Sequence, residues 1–385
     1  MSPPAPFSIH LPEARLQHIR DRVARFDWDD FPDAGGWSAG IGKATLQQIA
    51  AYWLEQFDWR AEEARLNALP QYRVDVDGQP LHFLHLRGSG GGRRAPLLLV
   101  HGWPGSFIEF VAAAERLAWP ERFGGRAEDG LDLVIPSLPG YGFSGRPPRP
   151  IGPRAIAGLF HTLMTDVLGH QRYIAQGGDW GSIVSSWMAH DHADACAGLH
   201  LNMALLQTKA AAPTCAADQA YLAARRRTHA IEGGYSHLQA TRPQTLGYAL
   251  QDSPVGAAAW ILEKFAAWSD LPRPGGVPDL ASVYSFDSLL TNVMLYVATG
   301  SLVTASWLYM ASAQEGSREL EHRIQTPTAV AAFPDPVFPP PPRSYAEQSY
   351  QIVRWTDIPR GGHFAAMEQP QAFADDVRAF ALIVN

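Results

Sequence analysis

Cysteine is almost absent from this 385-residue chain, which contains only Cys196 and Cys215. Two cysteines cannot form a disulfide scaffold, and neither stands in a CxxC or zinc-ligand spacing. So low a count is typical of proteins in a reducing compartment. We therefore expect a cytoplasmic protein with no metal site.

Clustered positive charge and long apolar runs are also scarce. The formal net charge is −7, and the only dense basic run is the triplet Arg225 to Arg227, which is typical of a solvated helix face. Nucleic acids and anionic membranes bind clustered positive charge, so the composition argues against both as partners. The start of the chain lacks the pattern of a signal peptide, and no uninterrupted apolar run is long enough to span a bilayer.

The chain does contain a large apolar fraction, 46%, against 18% charged residues, which suits a globular protein with a large core. Alternating segments at 72–76 and 81–86 predict two strands joined by a hairpin turn. Apolar runs at 96–100 and 131–135 predict strands buried on both faces. The repeated order of strand, loop and helix predicts a doubly wound, mostly parallel sheet that binds ligands beyond the carboxyl ends of its strands.

Two regions depart from this rhythm. Residues 1–70 are amphipathic and mostly helical, and residues 204–321 have a helical pattern rich in tryptophan and tyrosine. The sheet is expected in two parts, residues 71–203 and 322–385. An insertion between core strands that covers the active edge gives a substrate an apolar, water-poor pocket, so we interpret 204–321 as a cap.

Asp179 is the candidate nucleophile, because it lies midway between Gly177 and Gly181 where a strand pattern gives way to a helix pattern. This is the spacing of a nucleophile elbow, with Asp where esterases carry Ser. A carboxylate is ionised near neutral pH and can attack an sp3 carbon directly, which indicates alkyl chemistry. The alternative is a tight turn in which Asp caps a helix.

Three further positions would complete such a site. His363, one of 14 histidines, follows the last predicted strand, where a hydrolase of this architecture places its base. The backbone N–H groups of Trp103 and Trp180 are candidate oxyanion donors. Asp335 is the carboxylate placed to orient His363, although Asp between prolines is also a common turn.

Together these residues resemble the epoxide hydrolases of the microsomal and juvenile-hormone type, which have the α/β-hydrolase fold. The resemblance covers nearly the whole chain, with residues 1–70 as the epoxide-hydrolase N-terminal segment. Its motifs are the segment from Tyr52 to Pro70, HGWPGSF at 101–107, GGDWGS at 177–182, the cap segments 253–265 and 290–294, and RGGHFAA at 360–366.

The resemblance implies a reaction and two more residues. Tyr235 and Tyr309 in the cap would bind and polarise the epoxide oxygen, with Trp180 beside them. Asp179 would form an alkyl ester, and water activated by His363 would hydrolyse it to a vicinal diol. This chemistry needs no cofactor, only a hydrophobic or aromatic epoxide and water, and a role in secondary metabolism or detoxification would fit.

One departure from the family pattern concerns the acid that orients His363. The family carries Glu two residues after a Phe-Pro pair, whereas Pro336 stands there and the carboxylate of Asp335 comes one residue earlier. Two alternatives remain open: a haloalkane dehalogenase, which shares the Asp-Trp-Gly elbow but needs halide donors, and a non-catalytic binding protein on the same fold. The oligomeric state is also open, a homodimer included.

Overall fold

A nine-stranded sheet and a separate two-stranded pair run through the computed structural model, which describes residues 3–384. In chain order the strands of the described residues are β1 (Ala5–Pro6), β2 (Gln71–Val76), β3 (Gln79–Leu86), β4 (Leu97–Val100), β5 (Leu133–Pro136), β6 (Tyr173–Gly177), β7 (Cys196–Leu201), β8 (Gln207–Thr208), β9 (Glu319–Leu320), β10 (Ile324–Ala332) and β11 (Tyr350–Asp357).

The strand order in the large sheet is β1-β2-β3-β5-β4-β6-β7-β10-β11. From β5 to β11 all neighbours are parallel, whereas the pairings β1–β2, β2–β3 and β3–β5 are antiparallel. The predicted mostly parallel sheet is confirmed, and so is the hairpin, which turns at Asp77 and Gly78. The short strand β1 was not predicted.

Helices cover both faces of the parallel part and form the N-terminal and inserted regions. They are α1 (Glu13–Ala24), α2 (Lys43–Glu55), α3 (Trp59–Asn67), α4 (Val111–Ala118), α5 (Pro153–Thr162), α6 (Asp179–Asp191), α7 (Ala216–Glu232), α8 (Gly234–Thr241), α9 (Pro243–Asp252), α10 (Pro254–Trp268), α11 (Phe286–Val297), α12 (Leu302–Glu315), α13 (Arg343–Ala346), α14 (Ala365–Glu368) and α15 (Pro370–Val384).

The N-terminal segment packs as its apolar spacing predicts. Helix α1 buries Leu16, Ile19 and Val23 on one face, because residues three and four apart share a side of a helix. Its polar face reaches the inserted region: Arg15 Nη2 donates to the carbonyl of Val297, at the end of α11, over 2.7 Å. The segment therefore contacts the cap as well as the sheet.

The insertion consists of α7–α12 and lies between β7 and β10. At its base the two-residue strands β8 and β9 pair in parallel, a feature that the helical pattern did not predict. Within residues 3–384 no single helix is long and apolar enough to cross a membrane; α11 and α12 meet that test only as a pair, and they are bent by 78°.

Glu63 is the buried anchor of the N-terminal segment. One of its carboxylate oxygens, Oε2, accepts hydrogen bonds from the Leu11 amide (2.9 Å) and from Trp59 Nε1 (3.0 Å). The other, Oε1, accepts from Arg60 Nη1 at 2.7 Å. The three donors come from the loop before α1 and from α3 itself, so one carboxylate connects these elements.

We predict that Glu63→Ala lowers the free energy of unfolding by about 2–3 kcal/mol, because it leaves buried donors unpaired. Urea titration would measure this loss. The matched control is Glu55→Ala on the exposed surface of α2, expected to change stability by less than about 0.5 kcal/mol. Equal losses in the two variants would contradict the anchoring role of Glu63.

Candidate active site

Asp179 stands on a strained turn between β6 and α6. Its φ is +50°, a left-handed conformation that costs energy for a residue with a side chain. The turn is tight because a Cβ at position 181 would lie 1.8 Å from the Val100 carbonyl oxygen, so only glycine fits there. The elbow geometry that the GGDWG spacing predicts is therefore present, and it raises the Asp179 carboxylate above the sheet edge.

The loop after β4 holds one oxygen of this carboxylate. The backbone N–H of Trp103 donates to Asp179 Oδ1 over 2.8 Å, and a Cβ on Gly102 would lie 2.3 Å from the same oxygen. The Trp180 amide, the second expected donor, makes no hydrogen bond to this carboxylate in the part of the chain that the structure describes. Trp103 is thus the donor already in place.

A cap residue fixes the shape of this loop. Asn292 of α11 donates to the Pro104 carbonyl (2.8 Å) and accepts from Ser106 Oγ (2.8 Å). Tyr296, one turn later, donates to the carbonyl of Gly105 at 2.5 Å. These contacts give a physical reason for the cap motif at 290–294, because Asn292 in that motif positions the loop that carries the Trp103 amide.

The structure brings His363 between two carboxylates. Its Nδ1 lies 2.9 Å from Asp335 Oδ2, and its Nε2 lies 3.5 Å from Asp179 Oδ2. The other Asp335 oxygen, Oδ1, accepts from the amides of Val337 (2.8 Å) and Phe338 (2.7 Å). Pro336 has no N–H, so the turn uses the next two amides, and Asp335 reaches His363 despite its displacement from the family position.

The two carboxylates determine the charge of His363. Burial lowers the pKa of His363, but hydrogen bonding and charge from Asp179 and Asp335 raise it from its ordinary value of 6.5 to about 10. With Asp179 ionised, the imidazole is therefore protonated at neutral pH. A pKa set this way depends on the charge of Asp179, so any reaction that neutralises Asp179 lowers it.

The loop that carries His363 rests on a carboxylate that the sequence did not single out. Glu368 accepts from the amides of Gly362 (2.8 Å), Phe364 (2.9 Å) and Asp270 (2.8 Å). Trp268, also not singled out, packs its ring 4.6 Å from the His363 ring. Glu368 of α14 thus fixes the loop from within the core, and Trp268 of α10 packs against the imidazole from the cap.

The two cap tyrosines meet above Asp179. Tyr235 of α8 stacks on Trp103 at 5.0 Å and 9°, and Tyr309 of α12 meets Trp180 edge-on at 4.7 Å; the two tyrosine rings are 5.9 Å apart. Burial, and then the charge of Asp179, raises the pKa of Tyr235, and burial likewise raises the pKa of Tyr309. Within residues 3–384 the Tyr309 hydroxyl is buried without a hydrogen-bond partner.

Glu109 is a further acidic residue at the site that sequence reasoning missed. With Asp179, Asn202 and His363 it lines a cavity of about 10 Å³, which is about the smallest cavity that can hold one water molecule. Burial raises the pKa of Glu109 to about 8, while the charge of His363 opposes this rise and that of Asp179 adds to it. Glu109 lies two residues beyond the HGWPGSF motif in the sequence, but no local pattern indicates a role for it.

Two known protein families match this chain. The family described as "Epoxide hydrolase N terminus" matches residues 4–110, and the family described as "alpha/beta hydrolase fold" matches residues 95–370. Among the described residues no group of three or more His, Cys, Asp or Glu side chains is arranged to hold a metal ion.

Related proteins cover nearly all of the chain. A protein of Stigmatella aurantiaca (strain DW4/3-1) that is provisionally named an epoxide hydrolase is 40% identical over 97% of this chain and 83% of its own length. Epoxide hydrolase 1 of Oryctolagus cuniculus is 33% identical over 99% and 89%. The crystal structure of juvenile hormone epoxide hydrolase from the silkworm Bombyx mori superposes with a TM-score of 0.87 at 32% identity, covering 99% of this chain and 94% of that one.

We predict that the charge of His363 makes stability depend on pH. Its folded pKa of about 10 exceeds the ordinary 6.5, so the folded protein binds the extra proton between these values. The stabilisation is complete below pH 6.5 and is lost as pH rises towards 10, by up to ~1.4 kcal/mol per pH unit. Urea unfolding at several pH values, wild type minus His363→Gln, should show this decline, and a difference independent of pH would contradict it.

Proposed function

The chain belongs to the epoxide hydrolase family of the α/β-hydrolase fold and converts epoxides to diols with water, and from this premise we propose that it works through a covalent ester on Asp179. The observation that carries the proposal is that the two oxygens of the Asp179 carboxylate have different neighbours. Oδ1 accepts from the Trp103 amide, and Oδ2 faces His363 Nε2 beneath the two tyrosines.

In the first half-reaction Asp179 Oδ2 attacks a ring carbon and the carbon–oxygen bond of the epoxide breaks. The departing oxygen is held by the hydroxyl groups of Tyr235 and Tyr309, one of which protonates it. Within residues 3–384 the Tyr309 hydroxyl is buried and makes no hydrogen bond of normal geometry, with Tyr235 and Trp180 beside it; this supports the role, because a buried donor that is poorly paired is stabilised by an incoming acceptor. The product is an alkyl ester of Asp179.

In the second half-reaction water adds to Cγ of Asp179. His363 Nε2 takes a proton from the water, and Trp103, with Trp180 as the second expected donor, stabilises the negative charge that develops on Oδ1. The bond between Cγ and Oδ2 then breaks and the second proton of the water passes to Oδ2, so the diol carries Oδ2 away and the water oxygen remains in the regenerated carboxylate. Asp335 fixes the imidazole tautomer and stabilises its charged form.

The raised pKa of His363 closes the proton balance. In the free enzyme the imidazole carries a proton beside the ionised Asp179. Ester formation removes the negative charge of Asp179, so the pKa of His363 falls and its proton replaces the one that the tyrosine gave to the substrate. The neutral imidazole is then the base for hydrolysis, and the proton taken from water restores the starting state.

The surroundings of the two tyrosines favour a hydrophobic or aromatic epoxide. Trp103, Trp180 and Trp268 line this part of the site, and aromatic faces bind apolar rings well. A biosynthetic role in secondary metabolism would use such a substrate, and so would detoxification.

We also propose that the protein is located in the cytoplasm. The structure contains a buried free thiol, Cys196, and an exposed one, Cys215, and free exposed thiols suit a reducing compartment. The negative net charge of −7 fits an enzyme whose partners are a small epoxide and water, without nucleic acid.

A single turnover in ¹⁸O-labelled water, with enzyme in large excess over styrene oxide, tests the ester. We expect label in the Asp179 carboxylate and an unlabelled diol, because water attacks Cγ. Mass analysis of the diol and of the peptide containing Asp179 measures both. In the His363→Gln variant the ester itself should accumulate and be visible by intact mass. Label confined to the diol would mean direct attack by water and would refute the nucleophile assignment.

The roles of the tyrosines are tested by Tyr235→Phe and Tyr309→Phe, which keep the rings and remove the donors. We expect each to slow ester formation by about 10²-fold, and the double variant to slow it further. Rapid mixing in the His363→Gln background isolates this step. The control is Tyr221→Phe on α7, which contacts Tyr345 outside the site. An unchanged rate in the double variant would remove both tyrosines from the mechanism.

A further inference from the structure

Glu109 is the one acidic side chain lining the cavity at the nucleophile, besides Asp179, that the mechanism above leaves without a task. It precedes Phe110, the last residue of a single helical turn that follows the oxyanion loop. No ion-pair partner is found for it among the described residues, in contrast with the arginine-bound carboxylates elsewhere in the chain. Desolvation raises the pKa of this partly exposed residue to about 8, so its charge is disfavoured at neutral pH, and an acid in such a place calls for a reason specific to this site.

The cavity supplies that reason. Its walls include Glu109, His363, Asp179 and Gly102, and its volume of about 10 Å³ is just sufficient for one water molecule. His363 Nε2, the atom that must take a proton from the hydrolytic water, faces Asp179 Oδ2 over a long 3.5 Å and makes no shorter hydrogen bond within residues 3–384. The cavity thus brings together the proton acceptor, the ester carbon and one further oxygen acceptor.

We propose that Glu109 positions the hydrolytic water: one water hydrogen points at His363 Nε2, the other at the Glu109 carboxyl, and the water oxygen faces Cγ of Asp179. This inference rests on the ester mechanism proposed above. Water has two hydrogens, and a base that takes one orients the molecule only partly, so a second acceptor fixes the line of attack. Glu109 acts only after the ester exists, and it plays no part in opening the ring.

The loop is shaped to hold this carboxyl in place. A Cβ on Gly105 would lie 1.6 Å from Glu109 Oε1, so the carboxyl occupies space that any other residue at position 105 would take. Backbone hydrogen bonds from Ser106 and Gly102 only partly offset the effect of burial, which raises the pKa of the carboxyl to about 8, and a neutral carboxyl still accepts a hydrogen bond through its carbonyl oxygen. Gly105→Ala therefore displaces the Glu109 carboxyl without changing its chemistry, and it provides an independent way to perturb the same contact.

The experiment compares Glu109→Leu, Glu109→Gln and Gly105→Ala with wild type in rapid-quench turnover of styrene oxide, following ester and diol by mass. We expect kcat/KM, which reports ring opening, to stay within about threefold, while ester decay slows at least ~10-fold in Glu109→Leu. Glu109→Gln keeps an acceptor and should be slowed less. Ester should then be visible during steady turnover, and Glu115→Leu, outside the cavity, should behave as wild type.

Two outcomes would overturn the proposal: ester decay at the wild-type rate in Glu109→Leu, or an equal fall of ring opening and decay, which would mean that Glu109 only supports the loop. If Glu109→Leu does not fold, Gly105→Ala and Glu109→Gln are judged by the same two rates. His363→Gln is measured alongside. An absence of ester in that variant would be a failure of the Asp179 mechanism itself, whereas ester there with unchanged decay in the Glu109 variants would be a failure of Glu109 alone.

Discussion

The pairing of one imidazolium with two carboxylates, Asp335 and Asp179, is the interaction on which the rest of the structure depends. Charges buried in an apolar cage are tolerable only when they are paired and hydrogen-bonded. The loop after β10 brings Asp335, the loop after β11 brings His363, and the elbow after β6 brings Asp179. The backbone amides of Val337 and Phe338 donate to the other oxygen of Asp335. The edge of the sheet therefore places the three side chains, and their charge pairing in turn stabilises the loops that carry them.

Close packing around Asp179 is the second constraint. The left-handed φ of the nucleophile and the near contacts at Gly102 and Gly181 leave the carboxylate little freedom. Strain of this kind persists only where the surroundings over-determine the conformation. The loop 101–106 is in turn held by Asn292 and Tyr296 from the cap. Because the carboxylate is held in this orientation before the reaction, little reorganisation of the protein is needed when charge moves during the reaction.

The sequence predicted the parts of the site that have a local signature. Asp179 could be found from glycine spacing and His363 from its loop, since strand ends in a parallel sheet share one edge. Tyr235 and Tyr309 came from the family resemblance alone, because nothing local separates them from the other tyrosines. Asp335 could be proposed because it is the carboxylate close to the end of the penultimate core strand, and in the structure its amide donates to the Phe333 carbonyl in a tight turn. Glu109 and Trp268 reach the site only through tertiary packing, and so does the short pairing of β8 with β9.

The N-terminal segment is hydrogen-bonded to the cap. Arg15 holds the end of α11, Tyr52 donates to Asp287, and Thr291 donates to Glu62. These hydrogen bonds attach the cap to the N-terminal segment, in addition to the two chain crossings at its base and the contacts of Asn292 and Tyr296 with the loop 101–106. The N-terminal segment therefore helps to hold the cap over the site, although none of its described residues lines the cavity at Asp179.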